Sequence, residues 1–559
     1  SEGIMNEDWI KYGGGDGFLN LVDTTDNRTL YTESQYLGLS RVDLITGERT
    51  SIRPGDPEGA IGPRRNWRTW PDLSDPEERL GNAMEPANWD GPFIISPHDP
   101  NVIYAGTQHL WRSRDRGQTW ENLGDLTARV DRRTLPIMGE MPTDTTRSLD
   151  DGIPYWPTLT AIAESPLEEG VLYLGTDDGQ VQVSNDGGNW FDNVLVQIPG
   201  APEMMWVNTI EVSRFEAGRA YVVANNYRND DYGNYAWVTD DYGETWRSIT
   251  GGLPENVVTR TVREDPRNPD VLYMGTEFGL FYSSDRGESW MELRGDLPTM
   301  AINDLVIHPR DNDLVLGTHS RGIWILDDIS PLQELDETVR ASDLHVFTME
   351  PVEQIRRQRK ISHTGDAVFF GENPPVGAII QYWASDAVDD VGITIHDRRG
   401  NEVARMDGPS GMGVHRVIWD LRHSEPPQPD GAAEGGRGRG QARGPLVVPG
   451  AYTVRVSALG QTVEAGVEVR EDPRIAARVS PGARQSWTET LLGIAELRRE
   501  ASALAARVDA AVEAAAGDEA AAGVGAAGEG AVEGVSDRTP AVVLARETGE
   551  LARRIRSRE

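Results

Sequence analysis

The first 330 residues repeat a single tract. Residues 271–290 read VLYMGTEFGLFYSSDRGESW, with two apolar strand-like runs, a Gly-Thr stop between them, and a tight acidic turn ending on tryptophan. Variants stand at residues 103–120 (IYAGTQHLWRSRDRGQTW), 171–191 (VLYLGTDDGQVQVSNDGGNWF), 237–246 (WVTDDYGETW) and 315–324 (VLGTHSRGIW), the last without the acidic turn. A unit this short cannot bury its own apolar face, so it is stable only when stacked on its neighbours.

Each unit opens on an extended segment, at residues 18–26, 93–100, 160–166, 209–215, 261–269 and 304–309. A second strand follows at 29–32, 102–105, 171–174, 220–224, 271–274 and 314–316. A short loop, a third strand, the acidic turn and a fourth strand complete it. Strands rich in β-branched and aromatic residues, bounded by Gly, Pro and Asp, predict an all-β fold. Openings lie roughly 40 to 80 residues apart, the shorter spacings being those of propeller blades and the longer ones carrying insertions at 47–89, 129–155 and 225–235. Six blades are expected, with a seventh completed by residues 2–12 together with chain past 324, or by chain outside this sequence.

The acidic turn has a local purpose. In residues 283–290 the Asp285 carboxylate can accept backbone N–H bonds further along the turn, Gly287 admits positive φ, and Trp290 can pack between sheets. Asp115 with Trp120, and Asp241 with Trp246, repeat the arrangement. In the third copy Asp186 is followed by Trp190 and Phe191 in the Thr and Trp positions. These residues occur once per unit, whereas catalytic groups occur once per site, so their expected role is structural.

The pattern S/T-x-D-x-G-x-T/S-W resembles the Asp-box, or BNR, repeat of sialidases, sortilin-like propellers and two-propeller xyloglucanases. The wider text resembles large bacterial proteins described as sortilin-like or glycosyl-hydrolase-like, on GGGDG at 13–17, YTESQY at 31–36, SPHDPNVIYAGT at 96–107, REDPRNPDVLYMGTEFGL at 263–280 and GTHSRGIWILDDISPLQEL at 317–335. This resemblance extends to about residue 475. It implies an Asp-box β-propeller of six to seven blades over 1–330, and a secreted, periplasmic or cell-surface location. Such proteins usually carry an export signal and a preceding propeller. Neither is present here, so the sequence reads as a processed or truncated piece of a longer chain.

Residues 331–341 read as a linker. Residues 342–475 read as an Ig-like β-sandwich, interrupted by a low-complexity loop at 424–444. The run QIRRQRK at 354–360 is the strongest basic patch and suits an interdomain surface. Residues 483–559 predict a helical hairpin. Leu491, Ile494, Leu497, Ala501, Leu504 and Val508 form one stripe to residue 512, 513–537 form an Ala/Gly/Glu spacer, and Leu544, Thr548, Leu551 and Ile555 form a second stripe. The helices would pack on each other or on the sandwich, and self-association through them is the sharper expectation.

Composition removes several function classes. With 90 acidic against 54 basic residues and a formal charge of -36, no basic field would draw in nucleic acid. The absence of cysteine excludes disulfides, thiolate metal sites and cysteine nucleophiles. No run of 18 apolar residues provides a membrane span. No serine sits in a nucleophile elbow. His98, His109, His308 and His319 lack zinc-site spacing, so no metal site is expected. Calcium held by carboxylates is the one cofactor the residues would admit.

Function is expected on the loops joining second to third strands and on those leading into first strands. Candidate ligand-binding residues there are Glu33, Gln35, His109, Tyr227, Arg228, His319 and Arg321. Candidate catalytic carboxylates are Asp16, Asp177, Asp178 and Glu277, with Asp90 beside them. Trp67, Trp70, Trp89, Tyr227 and Tyr235 would supply aromatic walls. An acidic, aromatic-lined cleft suits a neutral glycan or a polypeptide. Glycoside hydrolysis of a β-linked polysaccharide would need two of the carboxyls about 5–10 Å apart, one with a raised pKa. A sialidase would need three converging arginines, and Arg321 and Arg228 alone are placed on that rim. The xyloglucanases set their catalytic aspartates on two facing propellers, of which this sequence holds one. A third reading is a structural subunit of a larger assembly.

Overall fold

The computed structural model describes residues 4–5, 8–55, 85–137, 139–146, 156–355, 371, 373–388, 390–424 and 444–522. The chain divides into two compact units, one of residues 7–333, the other of residues 1–6 with 334–559. Both are built mostly of antiparallel β-sheet.

The first unit holds six sheets in chain order, each a meander of consecutive strands. Sheet 1 is Asn20–Val22, Thr29–Thr32, Ser40–Asp43 and Arg49–Ser51; sheet 2 is Phe93–Ile95, Ile103–Gly106, His109–Ser113 and Glu121–Asp125. Sheet 3 is Leu159–Glu164, Leu172–Thr176, Val181–Ser184 and Asp192–Asn193. Sheet 4 is Trp206–Val212, Ala220–Asn226, Asp231–Thr239 and Arg247–Ser248. Sheet 5 is Thr259–Glu264, Leu272–Thr276, Leu280–Ser283 and Met291–Glu292; sheet 6 has three strands, Ile302–Ile307, Leu314–Thr318 and Ile323–Leu326.

Second strands such as Leu172–Thr176 and Leu272–Thr276 are buried at every position. Successive side chains on a strand point to opposite faces, so both faces must be covered. In sheet 5, Leu272 and Met274 pack towards sheet 4, while Val271 and Tyr273 pack towards sheet 6. Five apolar clusters fill the five interfaces between successive sheets. The recurring Gly-Thr stop sits where the next sheet's first strand comes closest. A Cβ on Gly175 would lie 2.3 Å from Val207 Cγ1, and one on Gly275 2.6 Å from the Ile302 carbonyl oxygen. The threonine then closes the loop beyond it. Thr176 Oγ1 accepts from Gln180 N–H at 2.8 Å, and Thr276 Oγ1 donates to the Gly279 carbonyl at 2.9 Å.

The acidic turns link third to fourth strands as the sequence predicts. Asp115, Asp241 and Asp285 each accept three bonds. For Asp285 these come from Ser283 Oγ at 2.7 Å, Ser289 N–H at 2.9 Å and Ser289 Oγ at 2.5 Å. Asp115 and Asp241 bond the equivalent groups of residues 113 and 119, and of 239 and 245. Gly117, Gly243 and Gly287 take φ of 79–87°, which a side chain would strain. Trp120 and Trp290 donate indole N–H bonds to the Ile52 and Ile249 carbonyls of the preceding sheets. Trp246 is buried between sheets 3 and 4. In the third copy Asp186 accepts from Trp190 N–H at 3.0 Å, Trp190 stands in solvent, and Phe191 takes the packing position.

In the second unit a three-stranded sheet (Leu344–Val346, Ala378–Ala384, Gly413–Trp419) and a five-stranded sheet share one apolar core around Trp419, Ile380 and Ile393. The five-stranded sheet contains two strands the sequence reading did not name, Val352–Gln354 and Glu402–Gly408. Most of the loop at 424–444 lies outside the described residues. Residues 331–341, read as a linker, are largely helical. The chain there forms two short helices, Ser330–Glu334 and Glu337–Ala341, the second capped by Asp336 accepting from Val339 N–H.

The C-terminal expectation also needs correction. One helix runs Pro481–Ala522, ten residues beyond the predicted end. Its alanine- and glutamate-rich extension has high helix propensity, and Gly517 alone interrupts it at about 1 kcal/mol. The second predicted helix lies outside the described residues. No described helix is long and apolar enough to cross a membrane.

Candidate functional site

The loops between second and third strands meet the loops entering first strands at one end of sheets 3 and 4. They frame a shallow cleft lined by Arg132, Trp156, Asp177, Met204, Trp206, Asn225, Asn226, Arg228 and Asn229. Sheet 3 contributes Asp177 just past its Gly-Thr stop. Sheet 4 contributes Asn225 and Asn226, whose strand runs into a single helical turn, Tyr227–Asn229.

The walls are rigidly built. The Arg228 guanidinium lies 3.9 Å over the Trp206 ring and 4.7 Å over Tyr227. Arg132 lies 5.7 Å over Trp156. Arg260 approaches Tyr227 at 5.1 Å and is ion-paired to Glu277, its Nε 2.8 Å from Oε2. Asn229 donates to Asn226 Oδ1 at 2.7 Å, and Asn226 donates to Asp231 at 2.8 Å. Tyr235 donates to the same Asp231 oxygen at 2.6 Å. Asn225 is 1% exposed and gives its amide N–H to Asn208, while its Oδ1 has no hydrogen-bond partner among the described residues. A buried acceptor left unmade costs about 1–3 kcal/mol.

The expected site residues fall in several places. Asp177 and Arg228 line the cleft; Tyr227 and Glu277 stand behind it. The Asp177 carboxylate accepts from Thr158 N–H at 2.8 Å, Thr158 Oγ1 at 2.7 Å and Asn88 Nδ2 at 3.1 Å. Asp178 is fully buried and accepts from Thr176 Oγ1 at 2.5 Å and Ala128 N–H at 2.7 Å. Burial pushes it up to about 6 against those bonds. His109 Nδ1 is 2.5 Å from Glu85 Oε1, and that bond raises its pKa. Asp16 is exposed in the GGGDG loop, near Gln35. His319 and Arg321 are exposed on the sixth sheet's loop. Trp67 and Trp70 lie outside the described residues. Trp89 packs edge-on against Tyr36, with ring centroids 5.2 Å apart.

A second group of carboxyls sits on the first strands and their approaches. Glu211 lies 3.8 Å from Arg263, which bonds Asp304 at 2.6 Å. Asp90 is open to solvent on one side, yet surrounding protein and the charge of Asp304 push it up to about 6. Burial, then the Asp90 charge, pushes Glu33 up to about 9. Glu33 is 2% exposed and accepts from Gly91 N–H at 2.8 Å. Among the described residues no cluster of three His, Cys, Asp or Glu groups could hold a metal ion.

Sequence reasoning missed Asn88, Arg132, Trp156, Met204 and Trp206. Trp206 opens a first strand and could have been found from that position. Arg132 and Trp156 come from a non-repeating insertion with no pattern to read.

A family model described as "Sortilin, neurotensin receptor 3" matches residues 233–343. No curated protein matches the sequence. Among solved structures, a GH74 xyloglucanase from Xanthomonas campestris is 19% identical, with 58% of this chain and 53% of that one covered and a TM-score of 0.37. A GH74 enzyme from Niastella koreensis is 12% identical over 80% and 65%, with a TM-score of 0.38. PorZ, a surface component of the type-IX secretion system of Porphyromonas gingivalis, is 13% identical over 82% and 60%, with a TM-score of 0.37. The chain spans about half the length of the Xanthomonas xyloglucanase. It is thus a β-sheet-rich protein of more than one compact unit, similar at low identity to GH74-type and sortilin-type proteins.

Proposed function

We propose that the six-sheet unit is an Asp-box β-propeller of a secreted or surface-associated protein, and that it binds a glycan or polypeptide in the cleft between sheets 3 and 4. The Ig-like sandwich (342–475) and the C-terminal helical region act as accessory parts that position the propeller or join it to other copies. The observation that carries the reading is the cleft itself. Its aromatic, arginine and amide walls hold a buried acceptor, Asn225 Oδ1, with no partner among the described residues. Ligand sites combine apolar walls with a few fixed polar groups in this way.

Hydrolysis fits the cleft less well. Its one lining carboxylate among the described residues is Asp177, already held by Thr158 and Asn88. Two facing carboxyls are what a glycosidase requires. The test is a panel of polysaccharides and peptides scored separately for retention and for reducing-end release. Retention without release, weakened in Asn225→Leu, is the expected result. Release that survives Asn225→Leu and is lost in Glu277→Gln would replace binding with hydrolysis.

A further inference from the structure

The outer edges of the six sheets are not alike. Sheets 1 to 5 end on short strands of largely polar sequence, Arg49–Ser51, Glu121–Asp125, Asp192–Asn193, Arg247–Ser248 and Met291–Glu292. Edges of that kind are poor templates for pairing with another chain. Sheet 6 ends instead on its third strand, Ile323–Leu326, which reads Ile-Trp-Ile-Leu. Third strands elsewhere, such as Val181–Ser184 and Leu280–Ser283, are buried throughout. Here Ile323 is 62% and Ile325 57% exposed. Val315 pairs with Ile325 on one side and with Val306, 52% exposed, on the other, so the apolar face continues across the sheet.

The other sheets show what such an edge takes. In sheets 1, 3, 4 and 5 one bond recurs just past the fourth strand. Ile52, Val194, Ile249 and Leu293 donate backbone N–H to the carbonyls of Leu39, Val181, Ala236 and Leu280 at 2.8–3.0 Å. Each donor is aliphatic and packs into an inter-sheet cluster. Gly317 pairs with Ile323 as Gly275 pairs with Leu280, so Ile323 is the counterpart of Leu280. Bonded pairs alternate along an antiparallel ladder. Thr318 N–H bonds the Gly322 carbonyl, so Trp324 and Leu326 direct their backbone groups to the strand Leu314–Thr318, and Ile323 and Ile325 direct theirs to the free edge. Among the described residues nothing bonds them there. At the start of the strand Arg321 and His319 are exposed, and Arg321 has no ion pair among the described residues.

We infer that the edge Ile323–Leu326 docks an extended segment of a partner polypeptide, which adds to sheet 6 as an antiparallel fourth strand. The segment carries an aliphatic residue whose N–H meets the Ile323 carbonyl, as Leu293 meets Leu280. A carboxylate follows that residue, because antiparallel pairing runs the incoming chain towards the exposed charge of Arg321. The size of the patch favours a strand over a second copy of this chain. Ile323, Ile325, Leu326 and Val306, each about half exposed, fall well short of the roughly 800 Å² that each partner gives to a stable interface. A strand gains ladder bonds as well as apolar contact. The site lies on sheet 6 and is separate from the cleft between sheets 3 and 4.

The experiment titrates the full chain with the labelled peptide acetyl-Thr-Val-Thr-Ser-Ile-Glu-amide, read by fluorescence anisotropy, with amide hydrogen exchange at residues 323 and 325 followed alongside. Saturable binding that slows exchange at both residues about tenfold or more is expected. N-methylation of the peptide isoleucine nitrogen should weaken binding about tenfold or more, because it removes the bond to Ile323. N-methylation of the serine nitrogen, which faces away from the edge, should change binding no more than about twofold. Replacing the peptide glutamate by lysine should weaken binding about threefold, and Arg321→Glu should reverse that order. Ile325→Lys should abolish binding, with a thermal melt to show that the variant folds; the peptide comparisons on the unaltered protein hold without it. Equal weakening by the two N-methyl groups would overturn strand addition. No binding, with residues 323 and 325 already protected in the free protein, would overturn the inference and give the edge to this chain's own exposed segment at residues 9–12. No binding, with self-association in sedimentation that Ile325→Lys abolishes, would overturn it in favour of a second copy. No binding by an unprotected, monomeric chain would remove the site altogether.

Discussion

The two ends of the six-sheet unit are built on opposite plans. At the acidic-turn end, the same arrangement appears four times, with an aspartate closing a turn from within and an aromatic pinning it to an apolar cluster. At the cleft end the Gly-Thr stop repeats, but the side chains lining the cleft do not. Trp156, Trp206, Arg228 and Asn225 each stand at a place their counterparts in other sheets do not fill. Repetition belongs to how the sheets stack, and singularity to the cleft. The carboxyls differ in the same sense. Burial tends to raise Asp115, Asp241 and Asp285, but hydrogen bonds from their own turns outweigh it and hold them below the usual carboxylate range. Glu33, Asp90 and Glu211 near the first strands are pushed up, chiefly by burial.

The largest expected effect breaks the turn end alone. Trp246→Ala removes a buried indole between sheets 3 and 4 and should cost about 3 kcal/mol, read as a lowered denaturant midpoint. Ligand affinity at the cleft should stay within twofold. A variant as stable as the original would show that the turns do not hold the stack. Asp285→Ala removes three bonds and should cost about 2 kcal/mol at pH 7. Because the folded-state pKa of Asp285 is depressed, its contribution is present above the ordinary carboxylate value and lost as pH falls through it. The gap between variant and original should therefore narrow in melts as pH falls below the ordinary carboxylate range and through the folded-state value.

Glu33 has the opposite sign. Its folded pKa of about 9 lies above the ordinary 4.5, so the folded state keeps a proton that the unfolded state releases. Its contribution is favourable below 4.5 and is lost as pH rises towards 9. Glu33→Gln should raise the melting temperature at pH 8, leave it near the original at pH 4, and flatten the profile between. An unchanged slope would show that Glu33 ionises freely. The smallest effect belongs to the cleft. Trp156→Ala should cost about 1 kcal/mol or less of stability and weaken ligand binding about fivefold.

The stack was legible because its signals are periodic. Val271 to Thr276 needs two covered faces, a glycine at the close approach and a threonine to close the loop, and each requirement fixes a residue type. The loops singled out in the sequence, those carrying Asp177 and Arg228, lie at the same end of the sheets as the cleft. The cleft's full membership was not, because Arg132 and Trp156 come from an insertion and find their partners only in three dimensions. Asp177 and Asp178 illustrate the limit of reading composition. Both are acidic residues on a functional rim, and both carboxylates are occupied by neighbours such as Thr158 and Thr176 that sequence alone does not aim. In the second unit, Glu402–Gly408 has only Val403 and Ala404 buried, too weak an alternation to stand out.

The five inter-sheet clusters carry a consequence for how such a chain can lengthen. Each cluster draws about half its residues from one sheet and the rest from the next, so the stretch of sequence that repeats and the volume that holds it together are out of phase. Copying one repeat into the array adds a sheet and one complete interface, whichever repeat is copied, provided both faces of the newcomer match those beside it. Val271–Tyr273 and Leu272–Met274 are written on alternate letters of one strand, so a single duplicated segment brings both matching faces at once. Growth by whole repeats therefore leaves the existing contacts intact, and the insertions between repeats are free to diverge into sites.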